Sequence, residues 1–292
     1  MQTASRDAPS LLRMITGWIG ARLLPGQVAW FEEQVARIGA GGSPTVLATA
    51  IGLAPRRLGK VELVLDDTEQ RALQDAIPGA DLRGWSIDQA ARVGFVLASY
   101  GGDDKAFAEG IETLYRSGEF GEHIALLRGL QFYPAPELMI PIAGEGVRSA
   151  VQPVFEAVAH NSPFAAMHFG EAMWNQMVVK ALFIESRLAP IQGLDQRRNG
   201  ELARMLVDYA HERWAAGRAV SPELWRCVGP FAGDEHFDDL VRTFRSGGGV
   251  DRKAAALALS ECPNPQALVV LETAPTLWRD IRSGALTWDH IA

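Results

Sequence analysis

The side chains of this 292-residue chain that could do chemistry gather between Gln152 and Trp214. There Glu156, His160, His168, Glu171, Asn175, Lys180 and Asp208 sit within or beside apolar runs, where a polar group costs free energy unless it is paired. Glu156 and His160 are four apart, so a helix puts them on one face, with Gln152 a turn earlier. Beyond the break at Asn161-Ser162-Pro163, His168 and Glu171 are three apart and Asn175 lies four further on. This spacing reads as a second polar stripe, on a helix whose other faces carry Met173, Met177, Ala181 and Ile184. Two facing helices that each offer a histidine and a glutamate could bind a metal or position an acid–base pair. The same residues could instead line a metal-free ligand pocket. In a third reading each histidine donates to a nearby carboxylate or carbonyl and only fixes helix packing. No zinc spacing matches: H-E-x-x-H is absent, and H-x-x-E reverses the E-x-x-H order of di-iron sites. No cofactor is therefore expected, and a metal, if bound, would fall to His160, His168, Glu156 and Glu171.

Lys180 lies among Val178, Val179, Ala181 and Leu182, and either snorkels to the surface or pairs with a buried acid. Buried without a fixed carboxylate, its pKa would fall, opening anion binding or Schiff-base chemistry. In the run P-I-Q-G-L-D, Gln192 and Asp195 are candidates for polar ligand contacts, against a role in making a turn around Gly193. A helix expected over roughly 199 to 216 is amphipathic, with Leu202, Leu206, Tyr209 and Ala210 on its apolar side. Glu201, Arg204, Asp208, His211 and Glu212 share the opposite arc. Such an arc is usually a solvated face with Arg204 and Asp208 paired. The functional alternative has Asp208 orienting His211 towards a cleft. No nucleophile is marked: there is no G-x-S-x-G elbow, no glycine-rich phosphate loop between a strand and a helix, and no motif around Cys227 or Cys262.

The rest of the chain must position these groups, and its pattern is helical. Residues from roughly 9 to 53 read as three helices, opened at Pro9-Ser10, Pro25-Gly26 and Ser43-Pro44. G-K-V-E-L-V-L-D-D is the one strand candidate, and without a partner of similar pattern it reads as an extended connection. Asp66 with Glu69, and Ser86 with Gln89, have capping-box spacing, and Asp103 opens another helix that Gly118 closes. From Ser221-Pro222 onward, helices of about a dozen residues alternate with Gly or Pro, similar to stacked HEAT-like pairs. The fold class expected is all-α, an array of antiparallel helix pairs in one domain over residues 1–292.

Net charge of −7 and a pI near 5.4 argue against a nucleic-acid footprint, which needs a basic face. Two cysteines make neither a disulfide framework nor a zinc cluster and read as reduced thiols. No apolar run reaches the roughly 18 residues of a spanning helix. Arg6, Arg13 and Arg22 on an amphipathic first helix could touch a membrane surface, but a core-packed helix is the simpler expectation.

Six motifs in order, L-L-R-G-L-Q-F-Y-P-A-P-E, V-F-E-A-V-A-H-N-S-P-F, H-F-G-E-A-M-W-N-Q-M-V-V-K-A-L-F, P-I-Q-G-L-D, L-A-R-M-L-V-D-Y-A-H-E-R-W-A-A-G-R and S-P-E-L-W-R, resemble the EboA family of bacterial proteins. The resemblance is clearest over roughly residues 85 to 260. It carries Glu156, His160, His168, Asn175, Lys180, Gln192, Asp195, Asp208, His211 and Glu212 as motif positions and leaves out His123, His236 and His290. Genes of that family accompany others resembling a UbiA-type prenyltransferase, a sugar-phosphate cyclase and barrel-fold hydrolases or isomerases, in a cluster associated with making or exporting a secondary metabolite. The resemblance thus implies a cytoplasmic or membrane-adjacent accessory protein whose partners are those cluster products or a small metabolite. The reading adopted is a non-catalytic binding protein with a polar-lined central cleft. A metal-assisted or acid–base enzyme using His160, His168, Glu156 and Glu171 is the first alternative. A scaffold docking through Trp225 or Trp278 is the second.

Overall fold

The computed structural model describes residues 7–291, which divide into two compact units, one up to Phe169 and one from Gly170 onward. Arg6, one of the three arginines considered for a membrane surface, lies outside the described residues. The first unit holds α1 (Ala8–Gly20), α2 (Pro25–Gly39), α3 (Pro44–Leu58), α4 (Asp67–Ala76), α5 (Ile87–Ala98), α6 (Asp104–Ser117), α7 (Phe120–Arg128), α8 (Ile140–Arg148), α9 (Gln152–Ala159) and α10 (Phe164–His168). The second holds α11 (Glu171–Phe183), α12 (Gly200–Ala215), α13 (Trp225–Val228), α14 (Phe237–Ser246), α15 (Gly249–Ser260), α16 (Gln266–Glu272) and α17 (Pro275–Arg282). The fold is all-α: among the described residues the only β pairing is one antiparallel bridge between Glu62 and Ser86. There Leu63 donates to the Trp85 carbonyl at 2.8 Å and Ile87 to the Val61 carbonyl at 2.9 Å, which makes 61–63 the extended connection its isolation suggested.

The helix starts follow local chemistry. Asp66 accepts from the Thr68 and Glu69 amides at 2.8 and 2.9 Å while Glu69 returns to the Asp66 amide at 2.9 Å, a full capping box. Asp103 caps α6 by accepting from Lys105 and Ala106, both at 3.0 Å. In α1, Leu11, Ile15, Trp18 and Ile19 are buried, so the first helix packs into its unit.

Each unit is built round one helix that is hidden on nearly every side. In the first it is α5, where every residue but Gln89 is buried, Asp88 and Arg92 included. It packs against α1, α2, α3 and α7, and Phe31 meets Phe95 with ring centroids 5.1 Å apart. In the second it is α15, whose run Ala254 to Leu259 is buried and which packs with α13, α14, α16 and α17. Alanines let neighbouring backbones come close, as Gly229 does. A Cβ added there would lie 2.7 Å from the Ala258 carbonyl oxygen. The pairs α14–α15 and α16–α17 pack together as helix pairs should.

One expectation fails in the central stretch. His168 and Glu171 do not share a helix: α10 stops at His168, and α11 begins at Glu171. Phe169 and Gly170 between them are extended, with ψ of 136° and 162°. Gly170 serves as the N-cap, which puts Glu171 in a first turn where a negative charge faces the positive end of the helix dipole. Three-residue spacing across a break between two helices carries no facial meaning. Trp225 as a docking aromatic is also corrected, since it is 1% exposed. No described helix is long and apolar enough to cross a membrane.

Candidate functional site

Glu156, His160 and His168 belong to the first unit. Glu156 is half-buried on α9 and accepts from the Gln152 side chain at 2.8 Å, the one-turn neighbour that the spacing indicated. Its charge also acts on Arg128, which burial pulls below the ordinary guanidinium value while Glu156 pulls it back. Arg128 donates to the Gly84 carbonyl at 2.7 Å and to Gln89 Oε1 at 2.6 Å, so α7, α9 and the start of α5 meet around one guanidinium. His160 is the C-cap of α9, its amide bonded to the Glu156 carbonyl at 2.9 Å. His168 packs its ring on Phe164, centroids 4.9 Å apart, with Nδ1 4.0 Å from Glu137.

The other seven candidates belong to the second unit, and most are engaged in holding it. Asn175 is buried and exchanges two amide hydrogen bonds with Asn199, at 3.1 and 2.9 Å, while Asn199 caps α12 through the Leu202 amide. Glu171 is exposed, and its charge acts on Arg197, whose guanidinium lies 4.7 Å over the Trp174 ring. Lys180 is half-buried in the last turn of α11. Gln192 precedes the turn at Gly193, which has φ of 76°. Asp208 is exposed and bonded to Arg204 at 2.9 Å, as the solvated-face reading expected. His211 does not take Asp208 as its orienting carboxylate. Its Nε2 lies 2.8 Å from Asp239 of α14, 28 positions along the chain. Among the described residues no three His, Cys, Asp or Glu side chains gather as metal ligands would. Both cysteines are free thiols, and burial pushes Cys227 up to about 12, so at neutral pH it is an inert thiol.

Asp195 is a clasp. Arg226 reaches it with two bonds, 2.8 and 2.7 Å, and Arg198 spans Glu261 at 2.6 Å and the Arg226 carbonyl at 2.9 Å. Trp288 closes the set by donating to Glu261 at 2.9 Å. The hydrogen bonds from Arg226, aided by the charges of Arg226 and Arg198, hold the Asp195 carboxyl below the usual aspartate range. Its contribution to stability is therefore present at neutral pH, where both folded and unfolded chains are ionised. It fades as pH drops below the ordinary aspartate value of about 3.9, because the unfolded chain takes the proton first. The urea midpoint of Asp195→Asn should lie well below that of the parent at pH 7, and the gap should narrow by pH 3.

Two neighbouring cavities lie at the end of this stretch. The larger, about 370 Å³, is lined by Leu182, Glu185, Arg187, Tyr209, Arg213 and Glu223, among others. The smaller, about 310 Å³, is lined by Trp214, Arg218, Trp225, Arg242 and Ser246, and shares Ala219, Val220 and Asp251 with the first. None of the ten candidate residues lines either one. The larger cavity is shaped by two devices. Glu223, 8% exposed, accepts from the Leu188 and Ala189 amides at 2.8 and 3.0 Å and so fixes the loop after α11. Before that loop, Glu185 takes φ of 59° while Ser186 donates to the Ala181 carbonyl at 2.8 Å, a helix ending that ordinarily uses glycine. Exchanging Glu185 for glycine should raise stability by about 1 kcal/mol, read as a higher urea midpoint, because the left-handed backbone no longer opposes a Cβ. The signal for this region in the sequence was slight: E-R-W-A-A-G-R sets Trp214 between two arginines, a pattern common on solvated helices.

A third cavity of about 370 Å³ in the first unit, lined by Leu47, Phe107, Gly110, Ile111 and Leu114 among others, has Asp103 as its one charged lining residue. Neither the curated proteins nor the solved structures include a match to this chain. Residues 11–229 match the family described as "Metabolite traffic protein EboA". Because that match covers most of the chain and contains all ten candidate positions, the chain belongs to the EboA family.

Proposed function

We propose that this protein binds a small metabolite without transforming it, in the cavity bounded by the end of α11, Tyr209 and Arg213 of α12, and the Ala219–Glu223 segment. The observation that carries this reading is a cavity of about 370 Å³ lined, but for Asp251, by family-matched residues. Its size falls within the range of small-molecule sites, and it sets Leu182, Val220 and Pro222 beside Arg187, Arg213 and Ser221. Apolar walls supply affinity, and a few fixed polar groups supply orientation. The family's description as metabolite traffic fits a carrier. In this reading Asn175, Asp195 and His211 hold the second unit together around the site, and Glu156, His160 and His168 order the first unit. The cargo passes to or from enzymes encoded alongside it, in the cytoplasm or at a membrane face.

Native mass spectrometry of the full chain, purified from cells that also express the neighbouring genes, tests this. The expected result is one small-molecule adduct, lost in Ser221→Phe, which adds bulk to a wall that the smaller cavity does not share. The released molecule should keep its mass on incubation with fresh protein. A parent chain with no adduct, or an adduct whose mass changes on incubation, would overturn the proposal.

A further inference from the structure

The smaller cavity has a chemistry of its own. Trp214 and Trp225 stack with centroids 5.8 Å apart and planes 27° from parallel, and the Arg242 guanidinium carbon sits 4.1 Å from the Trp214 ring centre. Arg218 lines the same space. Both arginines are exposed, and among the described residues neither has a carboxylate within ion-pair distance. Their neighbours behave otherwise: Arg204 is bound by Glu201 and Asp208, and Arg226 by Asp195. Arg57 over Trp30 and Arg282 over Trp278 are likewise exposed, but at 5.9 Å from the ring centres; Arg242 sits closer, and shares its cavity with a second arginine.

We propose that this cavity recognises a planar, conjugated group that carries a carboxylate or phosphate. Its position over an indole restrains the Arg242 guanidinium, whose N–H groups can pair with an oxyanion. Arg218 supplies a second charge from the loop after α12. The edge of Trp214 offers apolar surface to the conjugated part. Asp251, on the wall shared with the larger cavity, opposes a second negative group, so the ligand is charged at one end. This inference rests on the metabolite-binding reading and names the chemical class of the cargo, or of one end of it.

Calorimetric titration of the full chain with 2-naphthoate, and with the uncharged 2-naphthalenemethanol, tests it. The expected result is saturable one-to-one binding of the acid, with the alcohol at least about tenfold weaker. Arg218→Gln and Arg242→Gln, both surface changes that leave the fold intact, should each weaken the acid by about tenfold. Arg242→Lys should recover only part, because ammonium keeps the charge without the planar guanidinium. Equal affinity for acid and alcohol, or arginine variants that bind as the parent does, overturns the inference and leaves the metabolite reading standing. No binding of either probe, beside an adduct that Ser221→Phe abolishes, also overturns the inference alone. No binding and no adduct overturns both.

Discussion

Asp88→Ala is expected to lower the stability of the first unit by about 3–5 kcal/mol, the largest single loss foreseen here. Asp88 and Arg92 are one turn apart on α5, with side chains 3% and 8% exposed and a separation of 3.4 Å. Arg92 also donates to the Ile51 carbonyl at 3.0 Å and to the Gly121 carbonyl at 2.9 Å, so it ties α5 to α3 and to the start of α7. Burial pulls its pKa below the ordinary guanidinium value, and the charges of Asp88, Glu122 and Glu119 hold it up. Removing Asp88 leaves a cation in the interior without its nearest carboxylate, supported only by carbonyl dipoles and the more distant charges of Glu122 and Glu119. The cost is mostly that stranded charge rather than the worth of the pair. The double variant Asp88→Ala/Arg92→Met should therefore be more stable than Asp88→Ala alone, since it removes the cation and refills its volume. Urea unfolding followed by circular dichroism reads both. A double variant no better than the single would mean that the carbonyl contacts of Arg92, not its charge, dominate.

Glu223→Ala is expected to cost about 2–4 kcal/mol, because the Leu188 and Ala189 amides would lose their acceptor in a site that water reaches poorly. Glu223→Gln should lose less, since one amide oxygen can still accept one of the two bonds. The consequence for binding is sharper than for folding. Leu182, Glu185 and Arg187 stand on one side of the larger cavity because the chain after α11 is pinned at 188 and 189. Releasing it should weaken adduct formation in the glutamine variant even at temperatures where that variant is fully folded. Hydrogen exchange of the 186–189 amides measures the release directly.

What could be read in advance follows from distance along the chain. Capping boxes at Asp66 and the cap at Asp103 are settled within three or four residues, so the helix starts were legible. The apolar side of α12 was legible for the same reason, with Leu202, Leu206 and Ala210 buried and Asp208 exposed. The candidate site was not. His211 finds Asp239, Glu223 finds Leu188, and Arg226 finds Asp195, partners 28 to 35 positions away that no local pattern names. A polar residue in an apolar run announces that it has a partner, and whether that partner is a ligand or a neighbouring helix is a tertiary fact. In Asn175 it is another amide, and in Asp195 an arginine pair.

The run of small residues on α15 has a further consequence. Gly229 lies against Ala258 so closely that no side chain fits between them, and α13 packs on α15 through Trp225, Cys227 and Val228, all buried. The recognisable family segment ends at 229, yet its last helix is covered by chain that follows it. Inheritance and folding are thus cut at different places. A fragment ending at Gly229 would expose two aromatic and aliphatic faces at once and is expected to precipitate on expression, whereas one retaining α15 to α17 should remain soluble. The chain from α15 to α17 thus belongs to the same compact unit as the end of the family segment.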